Sequence, residues 1–198
     1  MNYGHALRFG LHLPSDADCG PGRLVAAGLA EQRGLDLLVV PAGTAGDDLE
    51  PSTVVSWIAG ATVSLRLVLE AHPATLHPAM LARAVAGLDR LTEGRVGLCI
   101  SFESSLRPER IAAARSAAGR EPAAVSRLLN LSGRFTSGAG GGLLEGTPGD
   151  WAEQIADLAL RYGVSGFILA SDEPADLNLF GHEVAPRARE LVESERVT

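Results

Sequence analysis

The stretch that most constrains the fold is residues 65–100, LRLVLEAHPATLHPAMLARAVAGLDRLTEGRVGLCI. Residues 65–69 and 96–100 are short apolar runs typical of strands. Between them, Pro78 suits the first position of a helix, where a missing N–H costs nothing, and Gly94 suits a left-handed cap at its end. Five apolar residues have the spacing of one buried helix face: Leu81, Ala84, Val85, Leu88 and Leu91. Two apolar strands joined by one amphipathic helix predict a βαβ unit, and therefore a parallel sheet covered on both faces.

The same alternation of apolar strand and amphipathic helix continues along the chain. Further strands are predicted at residues 7–13, 35–40, 125–131 and 164–170, and further helices at 24–33, 51–61, 108–118, from 147 onward and at 179–194. Strict alternation favours parallel strands with right-handed crossovers. Two architectures fit this pattern, an α/β barrel and an open doubly wound sheet. A full eight-fold barrel typically needs about 250 residues, whereas the single domain predicted here spans residues 1–198.

Composition excludes several classes of function. The formal net charge is −7 and every one of the 17 basic residues is arginine, which rules out a lysine Schiff base, a lysine general base and a Walker-type lysine. An acidic chain without a basic stripe argues against a nucleic-acid partner. No apolar run reaches the roughly 18 residues of a membrane span, and the first ten residues show no secretory pattern. We therefore expect a cytoplasmic protein in which Cys19 and Cys99 are free thiols, with a disulfide or a nucleophilic cysteine as the alternatives.

Polar residues follow the predicted strands at their carboxyl ends, where α/β barrels bind ligands. His12 follows the first strand, and Glu70 and His72 follow the third. Each histidine can act as an acid or base or contact a substrate, or can be an ordinary loop histidine. Glu70 is a candidate charge for the chemistry, with a salt bridge to an arginine as the structural alternative. His72 and His77 have no visible third ligand, so no metal site is predicted.

A glycine-rich run at residues 136–142, TSGAGGG, allows two interpretations. Its backbone N–H groups, together with Arg134, can hold a phosphate, or the run can be a flexible surface turn. It does not open directly into a helix, so it lacks the structural context of a dinucleotide-binding fingerprint. No G-x-S-x-G nucleophile elbow occurs in the chain.

Several segments, taken in order, resemble the luciferase-like monooxygenase superfamily of flavin- or deazaflavin-dependent oxidoreductases. They are RFGLHLP, AEQRGLDLLVV, VVSWIAGATVSLRLVL, HPAMLARAVAGLDRLTEGRVGL, AAGREPAAVSRLLNLSGRF, GTPGDWAEQIADLALRYGVSGFIL and FGHEVAPRARELV. The fourth is the strongest, because it is similar to the family's helix that ends in L-D-x-L-(S/T)-x-G-R. The resemblance implies a shortened TIM-barrel-like fold with about six parallel strands, in the α/β class.

The resemblance also implies a cofactor and a set of site residues. The cofactor is FMN or a deazaflavin coenzyme, used on a small organic substrate. The end of the third strand packs against the flavin ring in the family. The resemblance and the strand ends together predict His72, Glu70 and His12 as catalytic residues, and they predict the following cofactor-binding residues: Ala71, Ser101, Asn130, Ser132, Arg134 and Gly140.

The chain departs from the family after the fourth strand. The family's long middle region is absent, and its glycine-rich turn there is replaced by Ser101-Phe102-Glu103-Ser104. Two functions therefore stay open. One is an active oxidoreductase, and the other is a non-catalytic shortened homologue that serves as a flavin-binding or partner subunit. Because six strands can leave exposed sheet edges, a homodimer or a partner chain is expected to cover them.

Overall fold

The computed structural model describes residues 6–13, 21–42, 49–71, 78–100, 127–138, 140–171 and 173–197. Within them the strands are β1 (Arg8–His12), β2 (Leu37–Val40), β3 (Arg66–Ala71), β4 (Val96–Ile100), β5 (Leu128–Leu131), β6 (Arg134–Phe135), β7 (Glu145–Gly146) and β8 (Gly166–Leu169). The helices are α1 (Pro21–Gln32), α2 (Pro51–Ala61), α3 (Pro78–Leu91), α4 (Pro148–Tyr162), α5 (Pro174–Leu179) and α6 (Ala185–Val197). A π-helical turn, Phe180–Val184, joins α5 to α6.

Six of these strands form one parallel sheet in the order β4-β3-β2-β1-β8-β5. The sheet is curled like part of a barrel, so the predicted shortened TIM-barrel-like fold with six parallel strands is confirmed. All six apolar runs read as strands from the sequence correspond to strands of this sheet. The predicted helix at 108–118 lies outside the described residues.

The sheet has two chemically different faces. The outer face carries large apolar side chains, such as Phe9, Leu38, Leu67 and Phe167, which pack with the helices into the main hydrophobic core. The inner face carries a smaller apolar cluster: Leu37, Val39, Val68, Leu128 and Ile168. Side chains alternate between the two faces along each strand, so register alone decides which residues line the inside of the curl.

Glycines on the inner face of the sheet leave room for large side chains of the neighbouring strands. A Cβ at Gly10 of β1 would overlap the Leu37 side chain and lie 2.6 Å from the Leu37 carbonyl oxygen. A Cβ at Gly166 of β8 would overlap the Leu128 side chain. Large and small residues therefore interlock across β2, β1, β8 and β5, which closes the lower part of the inner face with the protein's own atoms.

Helix α3 begins at Pro78, as predicted, and Gly94 follows it with φ +89°. The predicted buried apolar face is confirmed only in part. Leu81, Val85 and Leu88 are only partly buried against the core, and Leu91 is 83% exposed. The reason is the sheet order, because α3 lies over β4, which has a neighbouring strand on one side only in the described structure.

The C-terminal helical region begins earlier than residue 179. It starts at Pro174 and continues through the π turn to Val197. Gly181 of the π turn packs against the Arg33 carbonyl with no room for a Cβ. Farther along, Arg189 donates to Asp36 at 2.7 Å, and the same carboxylate accepts the Phe9 N–H at 2.6 Å. These bonds tie the last helix to the first two strands. None of the helices in the described residues combines the length and low polarity needed to cross a membrane.

Candidate functional site

The carboxyl ends of β1 and β3 bring two of the predicted catalytic residues together. His12 Nε2 lies 3.6 Å from Glu70 Oε2. The His12 side chain is 24% exposed and that of Glu70 is 19% exposed. Both groups therefore reach solvent, or a ligand, while most of each side chain is packed against protein. The carboxylate can orient the imidazole.

The strand register shows which residues lie beside this pair on the inner face of the sheet. His12 is aligned with Val39 of β2, and Val39 is aligned with Val68 of β3. Val39 is buried and Val68 partly buried, in the inner apolar cluster. Glu70 follows Val68 on the same face by strand alternation. An acid–base pair thus lies beside an apolar floor, formed by Val39 and Val68, at the carboxyl edge of the sheet, an arrangement suited to a largely apolar ligand with a few polar atoms.

Cys99 is a third inner-face group that sequence reasoning treated as incidental. It is aligned with Glu70 across β3 and β4 and is a free, partly exposed thiol. Burial, and then the negative charge of Glu70, raise the pKa of this thiol above its usual value. The thiol therefore stays protonated, which disfavours the nucleophilic role that requires a thiolate. Alternation along β4 from Val96 predicts the face on which Cys99 lies. Its alignment with Glu70 could not be predicted, because it depends on the register between β3 and β4. In the described parts of the chain, no three His, Cys, Asp or Glu side chains group in a way that could hold a metal ion.

The other predicted site residues do not all lie on the inner face of the sheet. Asn130 of β5 is aligned with Ile168 and therefore lies on the inner face, where it is exposed. Ser132 follows β5 at the same edge and is also exposed. Ala71 is 6% exposed and alternates to the face of Leu69, so its side chain points away from the His12–Glu70 pair. His72 and Ser101 lie outside the described residues.

Arg134 and Gly140 lie in what we call the glycine segment, residues 133–146 of the chain. Here β6 and β7 form a short parallel ladder, in which Arg134 N–H donates to the Leu144 carbonyl at 2.9 Å. Gln154 of α4 accepts the Leu144 N–H at 2.8 Å. Gly140 packs so closely on the Glu145 backbone that a Cβ would overlap it. The described part of this segment thus contains a short ladder that is hydrogen-bonded to α4.

Helix α4 follows the glycine segment and caps its own N-terminus. Thr147 Oγ1 accepts the Asp150 N–H at 3.3 Å, and the Asp150 carboxylate accepts the Thr147 N–H at 2.8 Å. This is a complete capping box, with Pro148 at the first helical position. The hydrogen bonds from the backbone and hydroxyl of Thr147 lower the pKa of Asp150. The positive end of the helix dipole therefore already has a carboxylate beside it.

These features define a class of protein, a parallel α/β half-barrel with a polar site at its strand ends. The structure of the long-chain alkane monooxygenase LadA matches it with a TM-score of 0.57 at 12% identity, covering 93% of this chain and 91% of that chain. The model of the luciferase-like monooxygenase family matches residues 6–101, which include β1 to β4, His12 and Glu70. This match confirms, for residues 6–101, the resemblance to the luciferase-like monooxygenase superfamily that the sequence predicts.

Two further structures align over a smaller share of their length. EDTA monooxygenase (EmoA) from Chelativorans sp. BNC1 aligns over 56% of this chain and 32% of its own, at 17% identity and a TM-score of 0.40. DmoA from Hyphomicrobium sulfonivorans aligns over 58% of this chain and 34% of its own, at 19% identity and a TM-score of 0.36. The chain thus spans about a third of the length of each of these two proteins.

Proposed function

We propose that this protein is a flavin- or deazaflavin-dependent oxidoreductase of the monooxygenase type, acting on a small organic substrate. The observation that carries the proposal is the His12–Glu70 pair at the strand ends, 3.6 Å apart and within the region that matches the family. The match to the family model supports the cofactor class. A bound flavin would supply the redox chemistry, since no side chain of the described site is itself suited to carry it.

The residues of the site fit the ring portion of such a cofactor. Val39 and Val68 offer an apolar surface of the kind that an isoalloxazine ring packs against. His12 stands at the margin of that surface and can hold or move one proton through Nε2. Glu70, 3.6 Å away, keeps the imidazole oriented. Cys99 contributes a neutral, protonated thiol on the far side of Glu70.

A titration of the purified protein with FMN and with a deazaflavin, followed by fluorescence and absorbance, tests the proposal. Saturable binding of either one at micromolar concentration is expected. His12→Ala and Glu70→Gln should each weaken binding or substrate turnover roughly tenfold, the loss of one charge-assisted contact. His182→Ala is the matched control, because His182 is exposed on the π turn. The proposal fails if neither cofactor binds, or if the control variant loses as much as the two site variants.

A second candidate is a flavin-binding protein without turnover. The folded glycine segment favours it, because Gly140 and Gly133 are packed against the protein's own backbone rather than open to a ligand. Single-turnover reoxidation of the bound, reduced cofactor separates the two candidates. Reoxidation at the rate of free cofactor, whatever the candidate substrate, would favour the binding protein.

A further inference from the structure

The glycine segment and the start of α4 lie at the same edge of the sheet as the His12–Glu70 pair. The segment follows the carboxyl end of β5, and α4 begins there before returning to β8. In α/β barrels, the loops after the last strands and a helix N-terminus at this edge frequently bind the phosphate of a ligand. In this chain the corresponding place is filled by the protein itself.

Some glycines of this segment pack against the protein itself, whereas Gly138 and Gly141 have open space where a Cβ would lie. A Cβ at Gly133 would overlap the Leu144 carbonyl, and one at Gly140 would overlap that of Glu145. A Cβ at Gly142 would lie 3.1 Å from the Glu145 carboxylate. At these three packed glycines, backbone and carboxylate atoms of the segment thus take the close approach that a phosphate would need.

The charges at this place also oppose an anion. The Asp150 carboxylate sits at the N-terminus of α4, bonded to the N–H and the hydroxyl of Thr147 at 2.8 Å each. Glu145 adds a second carboxylate, and Arg134 is the only basic residue between residues 133 and 150 of the sequence. The local charge is therefore negative, and a phosphate dianion would be repelled where other barrels attract it.

We propose that the strand-end site prefers a flavin whose far end is an uncharged polyol, as in riboflavin, over the phosphate monoester FMN. This inference rests on the proposed flavin-binding function and specifies which form of the ligand the site takes. The ring is held by the apolar floor and the His12–Glu70 pair, and the polar end meets a surface of carboxylates and backbone. Hydroxyl groups can donate hydrogen bonds to such a surface, whereas a phosphate dianion cannot.

Parallel titrations of the protein with riboflavin and with FMN at one salt concentration test this preference. We expect riboflavin to bind at least as tightly as FMN. Asp150→Asn removes the charge at the helix N-terminus and should shift the ratio of the two dissociation constants toward FMN by roughly two- to fivefold. Glu145→Gln should shift it in the same direction. Glu153→Gln is the matched control, since Glu153 is exposed on the same helix and should leave the ratio unchanged.

The ratio of the two dissociation constants keeps the test valid if a variant is less stable, because partial unfolding weakens the binding of both ligands equally. Tighter binding of FMN than of riboflavin to the unsubstituted protein would overturn this inference and leave flavin binding itself intact. An unchanged ratio in Asp150→Asn would also overturn it. If neither ligand binds, the proposed function fails and this inference fails with it.

Discussion

His12 and Glu70 come from strands that are not neighbours, with β2 between them. They meet because Val39, aligned with His12, has a short side chain over which the two longer ones extend. The sequence predicts each residue separately as a strand-end group. It does not predict their contact, because the contact depends on which strand lies between them and on the register of that strand.

The inner-face glycines give a sharp prediction about single residues. Gly10→Ala should destabilise the protein by about 1–3 kcal/mol, because its Cβ would overlap Leu37 and approach the backbone carbonyl of that residue, which cannot move aside. Gly97→Ala is the matched control on β4, where the nearest atom is Val68 Cγ2 at 4.0 Å. Urea denaturation measures both changes in the free energy of unfolding. Equal losses for the two variants would contradict this account of the inner face.

A few side chains hydrogen-bond from one helix or strand to a neighbouring segment and hold it in place. Glu31, near the end of α1, accepts N–H bonds from Val63, Ser64 and Leu65 at 3.0, 2.6 and 2.9 Å. It thereby fixes the turn that leads into β3, the strand that carries Glu70. Burial raises the pKa of Glu31, but these hydrogen bonds outweigh it and the net pKa is lowered from its ordinary value of 4.5.

The sign of the Glu31 shift determines how stability depends on pH. A carboxyl whose pKa is lower in the folded state stabilises the protein fully above its unfolded pKa, and that stability is lost as the pH falls through the folded pKa. Glu31→Gln should therefore cost about 1 kcal/mol at pH 7, a figure kept small because the side chain is partly exposed. It should cost progressively less below about pH 4.5. Thermal unfolding from pH 3 to pH 7 measures this, and a constant difference across that range would contradict it.

An element can be predicted from the sequence when the residues that determine it are close together in the chain. Strands β1 to β4 were predictable because each is a short run rich in apolar residues, and α4 because Thr147, Pro148 and Asp150 form a complete cap within four residues. The exposure of Leu91 was not predictable, since it follows from the edge position of β4. The folding of the glycine segment was not predictable either, because its bonds to Leu144 and Gln154 join residues about ten positions apart.

At the scale of the whole molecule, the sheet ends in two strands, β4 and β5, that have one neighbour each in the described structure. Apolar side chains are exposed beside the first of these edges: Met80 and Leu91 on α3, and Leu98 on β4. We expect a homodimer, or a complex with a partner chain, to cover this surface.

Light scattering on the purified protein tests this association. Leu91→Glu should shift a dimer towards monomer, because it places a charge in an apolar contact. Val25→Glu on α1 is the control, since Val25 is equally apolar and 60% exposed but lies on a different helix. A monomer at all concentrations, or an equal effect of the two substitutions, would contradict the expected interface.

The position of β1 at the centre of the sheet has a consequence for how the chain folds during synthesis. Arg8 is aligned with Gly166, so the first strand is completed by the last strand of the sheet. The bond from Arg189 to Asp36 joins α6 to the residue before β2. A nascent chain can therefore pair β1 with β2 and β3 early, but one edge of β1 stays open until β8 has been synthesised. Such long-range closure slows folding and leaves an apolar edge exposed to aggregation, so the newly made chain should depend on chaperones until β8 has paired with β1.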